Sequence, residues 1–251
     1  MSDSAPTIHT DALTKRYGDI RAVDTLDLTV ESGEIYGFLG PNGAGKSTTI
    51  GMLLDYLRPT SGTMRVFGQD PQTDAVKIHE RIGVLPDRFG LYEDRTARQH
   101  VKFVTEMKQS NDDPETLLER VGLSDAIDDN TSEYSHGMEQ RLALAMSLVG
   151  NPDLLILDEP FNGLDPHGVR RVREIVHEEN ERGATVFFSS HVLGQVEIVC
   201  DRIGILHDGQ LVAEGTVSEL QDTAEADDDT TMEDVFVELT DARAAIGGDS
   251  Q

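Results

Sequence analysis

The stretch Ile35-Tyr-Gly-Phe-Leu-Gly-Pro-Asn-Gly-Ala-Gly-Lys-Ser-Thr48 decides how this chain folds. Ile35 to Leu39 is an apolar run that predicts a buried strand, and Thr49-Ile-Gly-Met-Leu-Leu-Asp-Tyr-Leu57 predicts a helix. Between them, Gly40, Pro41, Asn42, Gly43, Ala44, Gly45, Lys46, Ser47 and Thr48 fit the pattern G-x-x-x-x-G-K-[ST]. The charge of a polyphosphate must be met without bulky side chains in the way. Gly40, Gly43 and Gly45 let backbone N–H groups turn inward to do so. The helix that follows adds its unpaired N-terminal donors and its dipole. Lys46 then reaches the outer phosphates, and the Ser47 hydroxyl takes a place on Mg²⁺.

Composition bounds the rest. With 251 residues the chain is long enough for one large α/β domain or two small ones, with a sizeable core in either case. Its formal net charge of -26 repels nucleic acid and anionic lipid heads, so neither is an expected partner. Lys15, Lys46, Lys77, Lys102 and Lys108 are the only lysines. Few lysines and many carboxylates suit a high-salt cytoplasm, where the Debye length shortens to about 3 Å at 1 M. No run approaches the roughly 18 apolar residues of a membrane span, so a membrane role has to come through a partner. Met1-Ser-Asp-Ser-Ala-Pro lacks the basic and apolar regions of a secretory signal, and the chain is expected in the cytoplasm. The one cysteine, Cys200, lies among Val196, Ile198 and Val199 and is expected as a small buried side chain.

Working outward, Ile8 to Leu13 and Leu26 to Val30 predict antiparallel strands, and Gly62 to Phe67 and Ile82 to Leu85 two more, the last stopped by Pro86. From about 89 to 150 the reading turns helical, with Met138, Leu142, Ala145, Met146 and Val149 as one apolar stripe. Strands at Leu154 to Asp158, Thr185 to Ser189, Arg202 to Leu206 and Gln210 to Glu214 then alternate with helices at Val169 to Glu181 and Leu193 to Cys200. The fold class is α/β, with a mostly parallel sheet covered on both faces. Residues 1–220 form the main domain, and 221–251 an acidic linker with a short amphipathic helix through Met232, Val235, Phe236 and Leu239.

Leu154-Leu-Ile-Leu-Asp-Glu159 adds chemistry to the loop. An apolar strand ending in a carboxylate sets Asp158 beside Mg²⁺, and the adjacent Glu159 polarises an attacking water. His191, after the strand at Thr185, is expected at the same carboxyl edge, within reach of the γ-phosphate or the water. Tyr17, upstream of the loop, offers a flat ring for an adenine base.

Tyr134-Ser-His-Gly-Met138, standing just before the Asp158 strand, resembles the Leu-Ser-Gly-Gly-Gln signature of the ABC ATPases. With Gly163-Leu-Asp-Pro166 as a D-loop and His191 as a switch histidine, residues 5 to about 220 resemble an ABC transporter nucleotide-binding subunit. The resemblance implies a P-loop NTPase (RecA-like) core, an antiparallel β subdomain and an inserted helical subdomain. It implies ATP and Mg²⁺, and a head-to-tail homodimer in which ATP on Gly40 to Thr48 of one copy is closed over by Ser135 and Gly137 of the other, with Asp165 also near it. It also implies a separate integral-membrane permease, which would hold the chain on the inner face of the cell membrane. Gly90-Leu-Tyr-Glu-Asp94 and the Met232 to Phe236 tail look most like the exporter-type (ABC-2) ATPases. The chain departs from the pattern in two places: Tyr134, His136 and Met138 stand in the signature where Leu, Gly and Gln are commonest, and Asp87 replaces the Q-loop glutamine. A carboxylate at Asp87 still reaches toward Mg²⁺ or its water. The alternative left open is an ABC ATPase that drives assembly or repair without transport.

Overall fold

The computed structural model describes residues 5–223. The expected linker beyond 223 and the helix through Met232 and Leu239 lie outside them. The chain opens with a hairpin of β1 (Ile8–Tyr17) and β2 (Ile20–Val30), antiparallel and turning at Gly18, where φ is +59°. After β3 (Ile35–Leu39) and helix α1 (Lys46–Leu53), β4 (Ser61–Val66) returns to pair with β1. Helix α2 (Pro71–His79) leads to β5 (Ile82–Leu85), and α3 (Ala97–Met107), α4 (Pro114–Arg120) and α5 (His136–Ser147) make the helical insert. Then come β6 (Leu154–Asp158), α6 (Pro166–Glu181), β7 (Thr185–Ser190), α7 (Leu193–Val196), β8 (Arg202–His207), β9 (Gln210–Gly215) and α8 (Val217–Thr223).

Two sheets result. One has the order β2-β1-β4 and is antiparallel; the other runs β5-β6-β7-β3-β8-β9. In the larger sheet β5, β6, β7, β3 and β8 are parallel, and only β9 reverses, against β8. Burial on both faces explains why β3 and β6 read as nearly continuous apolar runs. The period of two sends Leu155 and Leu157 of β6 into one core with the helical insert, and Leu154 and Ile156 into another with α1 and the antiparallel sheet. Val186 and Phe188 against Phe187 divide β7 in the same way.

The insert is held to the larger sheet at defined points. Lys108 at the end of α3 donates to Ile82 O at 2.7 Å and Val149 O at 3.1 Å, bridging β5 and the end of α5. Arg120 of α4 pairs with Glu178 at 2.9 Å and the buried Glu179 at 2.8 Å on α6. Gly83 lets α5 lie close on β5: a Cβ there would sit 2.0 Å from Ser147 O.

Several boundaries differ from expectation for physical reasons. Helix α1 begins at Lys46 and stops at Leu53, and Asp55 takes φ +54°, so Tyr56 and Leu57 leave the helix. Helix α2 was not anticipated, since only Pro71 and Ile78 of it are buried and it carries no apolar stripe. Its signal was local: Asp70 caps it by accepting from Gln72 N at 3.0 Å, with Pro71 in the first turn. Helix α7 is a single turn that ends at Val196 and does not reach Cys200. Cys200 packs on β3 across Gly37, where a Cβ would lie 2.6 Å from its Sγ, and burial pushes the thiol pKa up. Helix α8 runs through residue 220, the expected domain edge, and buries Leu220 in the insert-side core.

Candidate active site

The parallel strands all end at one edge, and the loop from β3 to α1 is laid across it. Gly43 and Gly45 take φ +87° and +110°, conformations that side chains resist. At Gly45 a Cβ would also lie 2.3 Å from Ala22 O, so the loop touches the hairpin there. The N-cap Gly45 gives α1 no side-chain acceptor, and Lys46, Ser47 and Thr48 of its first turn line a cleft of about 510 Å³. A positive helix end opening on a cleft suits an anion.

Opposite the loop stand the carboxylates. Asp158, the last residue of β6, is 4% exposed and receives the Ser189 hydroxyl at 2.5 Å. Burial raises its pKa above the usual carboxylate value; hydrogen bonds from Ser189 and Ser47 act against that, and the charges of Asp87 and Glu159 add to it. Glu159 follows in the left-handed region at φ +53°, which turns its side chain out of the strand direction and into the cleft. Its Oε1 lies 3.3 Å from Lys46 Nζ, and its Oε2 2.9 Å from His191 Nδ1. Lys46 Nζ also donates to Gly40 O at 2.6 Å and Pro41 O at 3.3 Å. One buried carboxylate thus holds both the lysine and the histidine.

The cleft brings together Pro41, Asn42, Gly43, Gly45, Lys46, Ser47, Thr48, Asp87, Glu159 and His191 from the expected set. Gly40 and Ala44 stand behind the wall. Gly40 N donates to Ser190 O at 3.1 Å, a Cβ on Gly40 would meet Leu206 O at 2.3 Å, and Ala44 is buried. Tyr17 stands outside the wall at the hairpin end, 46% exposed, with Lys15 Nζ 5.0 Å from its ring centre; Ala22 of the same hairpin lines the cleft.

Ser135, Gly137 and Asp165 also lie outside the wall. Ser135 is the N-cap of α5, its Oγ accepting from Met138 N at 3.3 Å, and Asp165 caps α6 by accepting from Gly168 N at 2.7 Å. The two turns touch: the His136 ring covers Gly163, where a Cβ would lie 2.1 Å from His136 Cδ2. Sequence reasoning missed Ala22, Arg88 and Asn162 in the wall, and Ser189 behind it. Of these only Ser189 carried a signal, as a polar residue directly after the apolar run Val186-Phe-Phe188 of β7.

A glycine loop feeding a helix, faced by two carboxylates at the carboxyl edge of a parallel sheet, defines a phosphate-loop ATPase domain. The ABC transporter family profile matches residues 23–162. The chain is 43% identical over 212 residues to the bacitracin transport ATP-binding protein BcrA of Bacillus licheniformis, covering 82% of this chain and 69% of that protein. It is 41% identical over 219 residues to the daunorubicin/doxorubicin resistance ATP-binding protein DrrA of Streptomyces peucetius, covering 85% and 66%. A solved ATP-binding subunit of an ABC transporter superposes with TM-score 0.84 at 27% identity, covering 93% of this chain and 99% of that one. The chain therefore belongs to the ABC transporter family, is similar to ATP-binding proteins of the exporter type within it, and is an ATPase. Among the described residues no helix is long and apolar enough to cross a membrane.

Proposed function

We propose that this chain powers export through a separate membrane permease, held at the inner face of the membrane, by closing head to tail on a second copy with ATP between them. One observation carries the reading: Lys46, Ser47, Glu159 and His191 share one cleft, while Ser135 and Gly137 of the same copy are not among the residues that line it. A serine turn at the start of a 12-residue helix is a second anion site, and a second copy brings such a turn to the γ-phosphate. Asp165 lies beside that turn through the contact of His136 with Gly163, and Tyr17 offers its exposed ring to the adenine.

The donor set fits Mg²⁺. Ser47 and Asp87 line the cleft, and the Ser47 hydroxyl acts to lower the Asp158 pKa, so the three present hard oxygen donors. Ser47, Asp158 and Asp87 would hold the ion, and bound there it neutralises charge on the phosphates. Lys46 and the N–H groups of the loop meet the charge that spreads over the γ-phosphoryl group. Glu159 takes the proton of the attacking water, and His191 orients Glu159 through Nδ1. The names of BcrA and DrrA, which give bacitracin transport and daunorubicin/doxorubicin resistance, favour compounds of those kinds as the exported solute.

The test is Glu159→Gln. It is expected to bind ATP, to sediment as a dimer in Mg-ATP and to lose about 100-fold or more in turnover, on the scale of a lost general base. Adding Ser135→Ala should return the trapped dimer to monomer. Turnover near the wild-type rate in Glu159→Gln removes Glu159 as the base, and a dimer indifferent to Ser135→Ala removes the head-to-tail arrangement.

A further inference from the structure

Glu159 sits where a non-glycine residue is rarely found, at φ +53° directly after a strand. A buried backbone in that conformation has to be held from outside, and both of its polar groups are. Glu159 N–H donates to Ser189 Oγ at 3.0 Å, and the same hydroxyl donates to Asp158 Oδ1 at 2.5 Å. Ser189 is opposite Asp158 in the parallel register of β6 and β7 and is fully buried, so its hydroxyl has no solvent to turn to. On the other side, Glu159 O accepts from Gln140 Nε2 at 3.3 Å, besides the turn bond from Asn162 N at 3.1 Å. Gln140 is 3% exposed and belongs to α5, the helix that Ser135 caps.

We propose that Ser189 and Gln140 are positioning residues that fix Glu159 through its backbone N–H and C=O. The proposal rests on Glu159 serving as the base. Ser189 ties the base to the metal-side carboxylate, so the two acids keep their spacing. Gln140 ties the base to α5, so any shift of the helix that starts at Ser135 is carried to Glu159 of the same copy. The turn that would grip the partner's nucleotide and the carboxylate that serves its own are thereby joined by one side-chain amide. Neither residue touches the cleft itself.

The full chain tests this. Steady-state turnover is measured for Ser189→Ala, Ser189→Thr, Gln140→Ala and Gln140→Glu, with thermal melts on each to show folding. Misplacing a reacting group by about 1 Å costs up to about 100-fold, so kcat should fall roughly ten- to hundredfold in both alanine variants while KM for ATP stays within about twofold. Ser189→Thr keeps the hydroxyl and should recover most of the rate. Gln140→Glu keeps the size but loses the N–H donor and should behave like Gln140→Ala. In a Glu159→Gln background neither alanine change should lower turnover further, because the group being positioned is already gone.

A full kcat in folded Gln140→Ala overturns the proposal even if Ser189→Ala is slow, since Ser189 also holds Asp158. So does a loss confined to KM, or an undiminished loss in the Glu159→Gln background. Should Ser189→Ala not fold, Gln140→Ala and Gln140→Glu decide. Failure of the base itself is told apart by Glu159→Gln alone retaining turnover.

Discussion

At the scale of single residues the site is costly to its own fold. Asp158 is buried and its pKa is raised, chiefly by that burial. A carboxyl whose folded pKa lies above its unfolded one is destabilising once ionised, so the penalty sets in as pH climbs above the unfolded value and is complete above the folded one. Asp158→Asn keeps an acceptor for the Ser189 hydroxyl and removes the charge. It is expected to raise Tm in the absence of nucleotide, by about 2–4 °C for each kcal/mol relieved in a chain of this size, while abolishing turnover. A melting temperature at or below wild type would show that the charge is not a burden. Lys46→Ala removes the amine that lies beside both the loop carbonyls and Glu159. Titration with a fluorescent ATP analogue should find binding weakened at least tenfold, and unchanged binding would take the loop out of the site.

At the scale of elements, legibility followed burial and turn chemistry. The central strands of the larger sheet were readable because both faces are buried, which leaves runs such as Leu154 to Asp158 almost wholly apolar. The loop at Gly40 to Thr48 was readable because its chemistry admits few residues. Helix α2 was not, because an exposed helix with two buried residues has no periodic pattern, only a cap. The site residues missed in the sequence reach the cleft by tertiary placement: Ala22 comes with the hairpin and Asn162 with the turn after Glu159, and neither residue type announces a ligand. Nor does any pattern in the sequence say that α5 rests on β5 at Gly83, and that contact is testable. Gly83→Ala sets a Cβ 2.0 Å from Ser147 O and 2.7 Å from Leu155 Cδ2. A backbone oxygen does not move aside cheaply, so the change should destabilise by about 3 kcal/mol or more, at the upper end of overpacking, and lower Tm accordingly. An unaltered melt would mean that α5 is not seated there.

At the scale of the whole molecule, charge dominates. The formal net charge of -26 must repel itself across a surface where most ion pairs are exposed, as between Arg170 and Glu174 or Arg98 and Asp128. Exposed pairs of this kind contribute about 0–1 kcal/mol each and weaken in salt. Screening should relieve the repulsion more than it loosens the pairs. Tm is therefore expected to rise with KCl into the molar range, and a melt flat in salt would refute salt adaptation.

The contact between Lys46 and Glu159 has an outcome that concerns fuel economy. One amine cannot give its whole charge to a carboxylate and to a phosphate at once. A triphosphate that draws Lys46 toward itself must loosen Glu159, the carboxylate of the proposed base. Loading and cocking are then a single stroke, and no separate trigger has to be released before the engine can fire.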